Sequence, residues 1–254
     1  MYIDGGKYMK NWSEVEEDLV NNPNQPRIWQ EWAMALHDEE KIQEGQAIFS
    51  RGISYNPFDA LLYLMRGRKW IGQGLYDMAI SDMALSSRLN PFDWETWYYM
   101  GVACNISGQR ERALCCFWNC ADLVPTPSGM YPVVDWLFVT NTELGRKEEA
   151  ARVLDLVDLS TPYSPSDYSY GMRIRLFKEV ITPEEFLDEE SMKTAKTPAL
   201  SIITMLYGLA FFYTWKGIIE KSDQTLRKLL DQPSYHTAFG YIKGCILAKE
   251  RGII

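Results

Sequence analysis

The stretch that decides the fold is residues 90–125, NPFDWETWYYMGVACNISGQRERALCCFWNCADLVP, which carries a proline near each end. Prolines recur at nearly the same interval along the chain, at Pro23, Pro57, Pro91, Pro125, Pro162, Pro198 and Pro233. The gaps between them are 34, 34, 34, 37, 36 and 35 residues. Self-similarity at a fixed period near 34 residues is typical of a stacked array of helical repeats.

A second mark gives the same register. Residues 56–59 read Asn-Pro-Phe-Asp, and the same four residue types return at 90–93. Proline cannot continue the helix before it, and it biases the preceding residue out of the helical region. The aspartate two residues later is a good N-cap. Each motif therefore predicts that one helix ends and the next begins.

The size of the residue at equivalent positions is also kept from one repeat to the next. Small residues recur at Ala33, Gly67 and Gly101 and predict that the two helices of each repeat approach closely. The third copy matches the pattern W-x2-L-G-x2-Y, A-x3-F, P of the tetratricopeptide repeat through Trp97, Met100, Gly101, Cys104, Ala113, Phe117 and Pro125. The chain resembles this family, and in particular bacterial adaptors that carry only such repeats. The resemblance implies an all-α, right-handed superhelical solenoid of about six helix-turn-helix repeats.

We predict one domain over residues 1–254. Its parts are a leading half-repeat (1–23), three regular repeats (24–125), a fourth repeat (126–162), a degenerate repeat (163–198), and a last repeat with a terminal helix (199–254). Ser13 and Glu16 predict a capping box that opens a short first helix, and Thr182 with Glu185 predicts another helix start. The stretch 197–215 has no charged residue and is nearly long enough to span a bilayer, but it falls in phase with the repeat. We interpret it as a buried helix.

Charge and composition exclude several functions. The formal net charge is −8, the wrong sign for nucleic acid or an anionic membrane surface. The balance is −6 over residues 1–60 and +3 over residues 214–254. Such a charge difference usually reflects solvent-exposed helix faces. It would also favour head-to-tail stacking of copies of the chain, because the two ends carry opposite charge. Residues 1–10 contain no apolar signal region. We therefore expect a cytoplasmic protein without nucleic-acid binding or membrane insertion.

No pattern indicates catalysis, a cofactor or a metal. The five cysteines, Cys104, Cys115, Cys116, Cys120 and Cys245, include no CxxC pair, and the chain has two histidines. We interpret the cysteines as core residues of a protein from a reducing compartment. The sequence contains no Gly-rich phosphate loop and no G-x-S-x-G elbow. We predict that the protein is not an enzyme and needs no cofactor.

The resemblance places the first helix of each repeat on the concave face and so implies candidate partner-binding residues. These are Gln30, Met34, His37, Leu64, Met65, Arg68, Tyr98, Tyr99, Val102, Asn105, Asp135, Trp136 and Val139. The set is aromatic and apolar, as adaptable binding surfaces are. The Lys, Asn and Arg clamp with which some family members bind acidic chaperone tails is absent, and Glu95 would repel a carboxylate.

The prediction for function is a protein-interaction scaffold or adaptor that holds a partner peptide or protein segment in this groove. Two alternatives stay open. One is a homo-oligomeric structural component, and the other is a sensor of a small molecule or signalling peptide. The sequence also leaves open whether the groove is exposed or covered by the chain's own carboxyl-terminal region or a second copy.

Overall fold

The computed structural model describes residue 17, residues 21–27, residue 29 and residues 42–187, 194–232 and 234–254. Some predictions lie outside these residues, among them the capping box of Ser13 and Glu16. The candidates Gln30, Met34 and His37 and the small residue Ala33 lie outside them too.

Within these residues every regular element is a helix. The twelve α-helices are α1 (Ile42–Tyr55), α2 (Ala60–Gly72), α3 (Tyr76–Leu89), α4 (Trp94–Ile106), α5 (Arg110–Leu123), α6 (Met130–Glu143), α7 (Lys147–Leu154), α8 (Tyr168–Phe177), α9 (Pro183–Phe186), α10 (Pro198–Trp215), α11 (Ile219–Leu230) and α12 (Phe239–Glu250). A 3₁₀ turn, Pro127–Gly129, precedes α6. The prediction of an all-α chain of paired helices is confirmed.

The chain divides into two compact units, residues 1–99 and residues 100–254, with the boundary inside α4. In the first unit α1, α2 and α3 pack in sequence, and α1 and α2 share a buried cluster of Trp29, Ile48, Phe49 and Leu62. In the second unit α6 packs on α5, α7 and α8, while α10 packs on α8, α11 and α12. Each helix thus packs mainly on its neighbours in the array, as in a repeat protein.

The proline turns of the first unit are built alike. The indole Nε1 of Trp29 donates to the Pro23 carbonyl at 2.8 Å, and that of Trp97 donates to the Pro91 carbonyl at 2.8 Å. Tyr63 makes the equivalent bond to Pro57 at 3.1 Å. The large aromatic near the start of each first helix therefore fixes the turn six residues before it. This bond explains why aromatic and proline recur together.

The aspartates of the two Asn-Pro-Phe-Asp motifs cap helices as predicted. The Asp59 carboxylate accepts from the Leu62 amide at 2.9 Å, and Asp93 accepts from the Thr96 amide at 3.3 Å. Each bond satisfies an amide that has no partner within its helix. Further along, the predicted helix start at Thr182 is confirmed as the start of α9, where Thr182 and Glu185 form a capping box.

A glycine in the left-handed region of backbone space joins the two helices of four repeats. Gly74, Gly108, Gly145 and Gly217 have φ values of 73°, 83°, 74° and 74°. The predicted close approach within a repeat is also observed. A Cβ added to Gly101 would lie 2.6 Å from Cε1 of Phe117, too close for any real side chain. Glycine at this position lets α4 lie against α5.

Helix α10 is the one helix in the described residues that is long and apolar enough to cross a membrane. Length and composition are weak evidence here, because the core helix of a soluble protein meets the same two criteria. Most residues of α10 are buried against the helices around it. This burial is what we expected for residues 197–215.

Candidate functional site

The ten described candidates fall into two groups. Met65, Arg68 and Tyr99, all in the first unit, are partly exposed. The others are buried, with exposed fractions between 0% and 6%, and they are Leu64, Tyr98, Val102, Asn105, Asp135, Trp136 and Val139. As a partner-binding set the residues stay a prediction. Only the exposed three present a surface that a partner could reach without opening the chain.

The exposed three lie against one another. The guanidinium carbon of Arg68 lies 4.3 Å from the centre of the Tyr99 ring, and its Nη1 lies 3.7 Å from the Met65 sulfur. The Tyr99 ring meets Tyr98 edge to face, with centroids 5.2 Å apart. Met65 packs on the core of the first unit. A cation over an aromatic face is attracted electrostatically, so the Tyr99 ring favours this position of the Arg68 guanidinium.

In the second unit, charged side chains connect α6 with the last helix, α12. Glu143, at the end of α6, accepts from Lys243 of α12 at 2.6 Å. Its other oxygen accepts from Arg110 and from Asn105, both at 3.0 Å. Lys243 is 4% exposed, and burial lowers its pKa, although the adjacent Glu143 carboxylate opposes the shift. Asn105, a predicted partner contact, is thus already bonded within the chain.

Glycines hold α12 in this position. A Cβ on Gly244 would overlap a methyl carbon of Leu229 in α11, and one on Gly240 would lie 3.1 Å from the backbone of Thr204 in α10. Helix α12 therefore lies against the Leu229 side chain of α11 and against the backbone of α10. The contact of Lys243 with Glu143 links α12 to the carboxyl end of α6.

A second ion pair, Asp135 with Arg173, is fully internal. The Arg173 Nε lies 2.8 Å from the Asp135 carboxylate, and the side chains are 3% and 0% exposed. The guanidinium carbon lies 5.1 Å from the centre of the Tyr207 ring and 5.7 Å from that of Phe177. Burial raises the pKa of Asp135 to about 6 despite the attraction of Arg173. The cost of desolvation therefore outweighs the ion pair.

Trp136 has a structural role in the chain as well. Its ring stacks on Phe117, with centroids 5.9 Å apart and planes 15° apart. Glu143, Arg173 and Lys243 are not among the residues predicted from the sequence. Lys243 alone carries a signal, since it is the single charged residue of 237–248, whereas Glu143 follows Thr-Asn-Thr and Arg173 stands two residues from another arginine. A buried charge requires a partner, but its identity depends on how the helices stack.

The described residues offer no metal site made of three or more His, Cys, Asp or Glu side chains. All five cysteines are free thiols. Cys104 and Cys116 hydrogen-bond across the helix pair α4 and α5. This bond, together with burial, raises the pKa of Cys116. Both thiols are buried, while Cys115 is exposed.

No protein-family model matches the chain, and no curated protein sequence matches it. Solved structures do match. A tetratricopeptide repeat protein from Parabacteroides merdae aligns over 92% of this chain and 90% of its own, with a TM-score of 0.59 and 11% identity. The chain has the tetratricopeptide-repeat fold.

Two further structures of this fold align with the chain. Cut9, from a hetero-tetramer of Cut9 and Hcn1 of the APC/C, aligns over 95% of this chain and 46% of its own, with a TM-score of 0.56 and 13% identity. PilF of Pseudomonas aeruginosa aligns over 92% of this chain and 99% of its own, with a TM-score of 0.53 and 9% identity. At such identities the likeness concerns the tetratricopeptide-repeat fold alone.

Proposed function

We propose that this tetratricopeptide-repeat protein is a non-catalytic scaffold that binds a segment of a partner protein on the concave side of its first unit. The binding surface would be formed by Met65, Arg68 and Tyr99. The fold supports the general role, since Cut9 has the same fold and was solved in a complex with another protein. The concave position of first helices is implied by the resemblance to the repeat family.

The observation that carries the proposal is the stack of Arg68 on Tyr99. Its guanidinium lies 4.3 Å from the ring centre, on partly exposed residues. Arg and Tyr are enriched among the residues that dominate binding energy, and methionine adapts to irregular apolar shapes. Because Arg68 is already placed by Tyr99, a partner would lose less side-chain entropy on binding. We therefore expect a segment with an aromatic or aliphatic anchor.

Quantitative affinity capture from the native host tests the proposal. The bait proteins would be the wild type, an Arg68→Ala/Tyr99→Ala double variant and a Trp118→Ala control. Trp118 is 44% exposed on α5 and lies outside the predicted surface, so its loss should not affect binding. Trp136 is unsuitable as a probe, because it is buried against Phe117 and its removal would disturb the fold.

We expect the double variant to bind the same partner about tenfold or more weakly, the loss typical of binding hot spots. The Trp118→Ala control should bind like the wild type. Equal recovery of the partner with the double variant and with the wild type would contradict the proposal, provided that circular dichroism shows that all three proteins are folded. Binding lost equally in the control would point to a different face of the protein.

No observation in the described residues favours the sensor or the homo-oligomer over the scaffold. Both alternatives stay predictions from the sequence, and so does the cytoplasmic location. Light scattering over a wide concentration range tests self-association. A monomer throughout would exclude the homo-oligomer.

A further inference from the structure

A cavity of about 550 Å³ opens beside α7 in the second unit, and we call it the α7 cavity. None of its lining residues in the described part of the chain is a predicted partner contact. Its walls come from α6, α7, the carboxyl ends of α8 and α10, and the connecting segments. Its size is within the range of ligand sites in proteins, about 300–1,000 Å³.

The cavity lies where the second helices of the repeats become short. Helices α1, α3 and α5 have 14 residues each, whereas α7 has 8 and α9 has 4. None of the cavity-lining residues in the described part of the chain belongs to α9. Among the residues that the structure describes, the side of α7 that faces the next repeat therefore has less cover than the earlier second helices.

Equivalent positions show the difference directly. Six residues after the turn glycine stand Ile80 in α3, Leu114 in α5 and Ala151 in α7. Ile80 is 4% exposed and Leu114 is 7% exposed, but Ala151 is exposed and lines the cavity. Lys147, Ala151 and Asp155 stand four residues apart along one face of the chain at α7. Such a row is a ridge against which another helix packs.

The chemistry of the cavity is an apolar floor with a basic rim. Phe138 stacks on Phe177 at a centroid distance of 4.6 Å, and Trp215 meets Phe138 edge to face at 5.2 Å. On the rim, Lys178 lies 3.6 Å from Asp155, but Lys147 is exposed and has no carboxylate within ion-pair distance in the described residues. A carboxylate on the occupant would complement Lys147.

We propose that the α7 cavity is a docking site for an amphipathic helix of a partner protein. The apolar face of that helix covers Ala151 and the aromatic floor, and an acidic residue at its edge pairs with Lys147. The helix occupies the place that a full second helix takes in the regular repeats. This site is separate from the surface of Arg68 and Tyr99, so the two proposals can fail independently.

Three synthetic helical peptides with the same leucine face probe the site. One carries glutamates at its edges, one carries lysines there, and one has the glutamates and a central proline that breaks the helix. The protein would be labelled with 5-fluorotryptophan and followed by ¹⁹F NMR. The Trp215 signal is assigned by its loss in Trp215→Phe, and the Trp118 signal serves as an internal control.

We expect the glutamate peptide to shift the Trp215 signal in a saturable manner and to leave Trp118 unchanged. Lys147→Glu should weaken binding about three- to tenfold, the range for losing one exposed ion pair and adding a repulsion. The matched control Lys228→Glu changes an exposed lysine on α11 and should bind like the wild type.

The lysine peptide and the proline peptide should bind more weakly than the glutamate peptide. An unchanged Trp215 signal would overturn the proposal, and so would equal binding of all three peptides. Equal affinity of the wild type and Lys147→Glu for the glutamate peptide would overturn it too. Circular dichroism of both charge variants confirms that the fold is intact.

Discussion

The contact of Glu143 with Lys243 predicts that two substitutions in one ion pair differ in cost. Lys243 donates to Glu143 alone among the described side chains and is 4% exposed. Glu143 has two further donors, Arg110 and Asn105, each at 3.0 Å. Glu143→Gln therefore leaves a buried ammonium without its counter-charge, whereas Lys243→Met leaves a carboxylate that keeps two partners.

The magnitudes follow from these contacts. Removing one partner of a buried pair costs about 3–5 kcal/mol when the other charge stays uncompensated, and we expect this range for Glu143→Gln. For Lys243→Met we expect about 1–2 kcal/mol, since one charged hydrogen bond is lost while burial of the ammonium no longer costs free energy. The double variant should cost less than the sum of the two, because the sites are in contact.

The pH dependence gives an independent test. Burial already lowers the pKa of Lys243, and loss of the Glu143 carboxylate should lower it further. Between that lowered pKa and about 10.4, the unfolded chain binds this proton and the native state does not, so stability rises with pH. Glu143→Gln should recover part of its loss at high pH, relative to the Glu143→Gln/Lys243→Met double variant.

Urea unfolding of the four proteins, followed by circular dichroism with comparable slopes, measures these free energies. The reasoning would be refuted if Lys243→Met cost as much as Glu143→Gln, or if neither cost more than about 0.5 kcal/mol, the range of ordinary surface substitutions. Either result would mean that α12 does not bury Lys243 against α6.

Three further predictions concern the repeat itself and the internal carboxylate. Gly101→Ala should lower the free energy of unfolding by about 1–3 kcal/mol, because its Cβ would lie 2.6 Å from Phe117; an unchanged urea midpoint would contradict the close packing. Trp97→Phe should cost about 0.5–1 kcal/mol in thermal unfolding, since the bond to the Pro91 carbonyl is lost. Burial raises the pKa of Asp135 from 3.8 to about 6, so the native state holds this proton more tightly than the unfolded chain. The wild type should therefore lose about 3 kcal/mol of stability relative to Asp135→Asn as the pH rises from 3.8 to 6. A difference in the free energy of urea unfolding that stays constant over this pH range would contradict the prediction.

The parts of the fold that depend on local sequence could be predicted. The proline and aspartate of residues 56–59 set a helix boundary by backbone chemistry alone, and Asp59 caps α2 as expected. Gly101 marked a close contact because only a residue without a side chain fits there. The same rules predicted the helix start at Thr182.

The buried charged contacts of the candidate residues could not be predicted in the same way. Lys243 and Glu143 are 100 residues apart, and their contact depends on the position that α12 takes over several stacked helices. The resemblance implies an inner-face position for Asn105 and Asp135, but it does not show that Glu143 and Arg173 come close to them. A residue's place in a repeat fixes the face it lies on, whereas its exposure depends on the rest of the chain.

Site-specific photo-crosslinking tests the central claim, that partners bind the surface of Arg68 and Tyr99, most directly. A benzophenone amino acid would replace Tyr99 in one protein and Trp118 in another, each expressed in the native host. Mass spectrometry would then identify the crosslinked products. We predict that the probe at position 99 captures one defined protein segment and that the probe at position 118 does not. A partner captured only at position 118, or by both probes alike, would contradict the account.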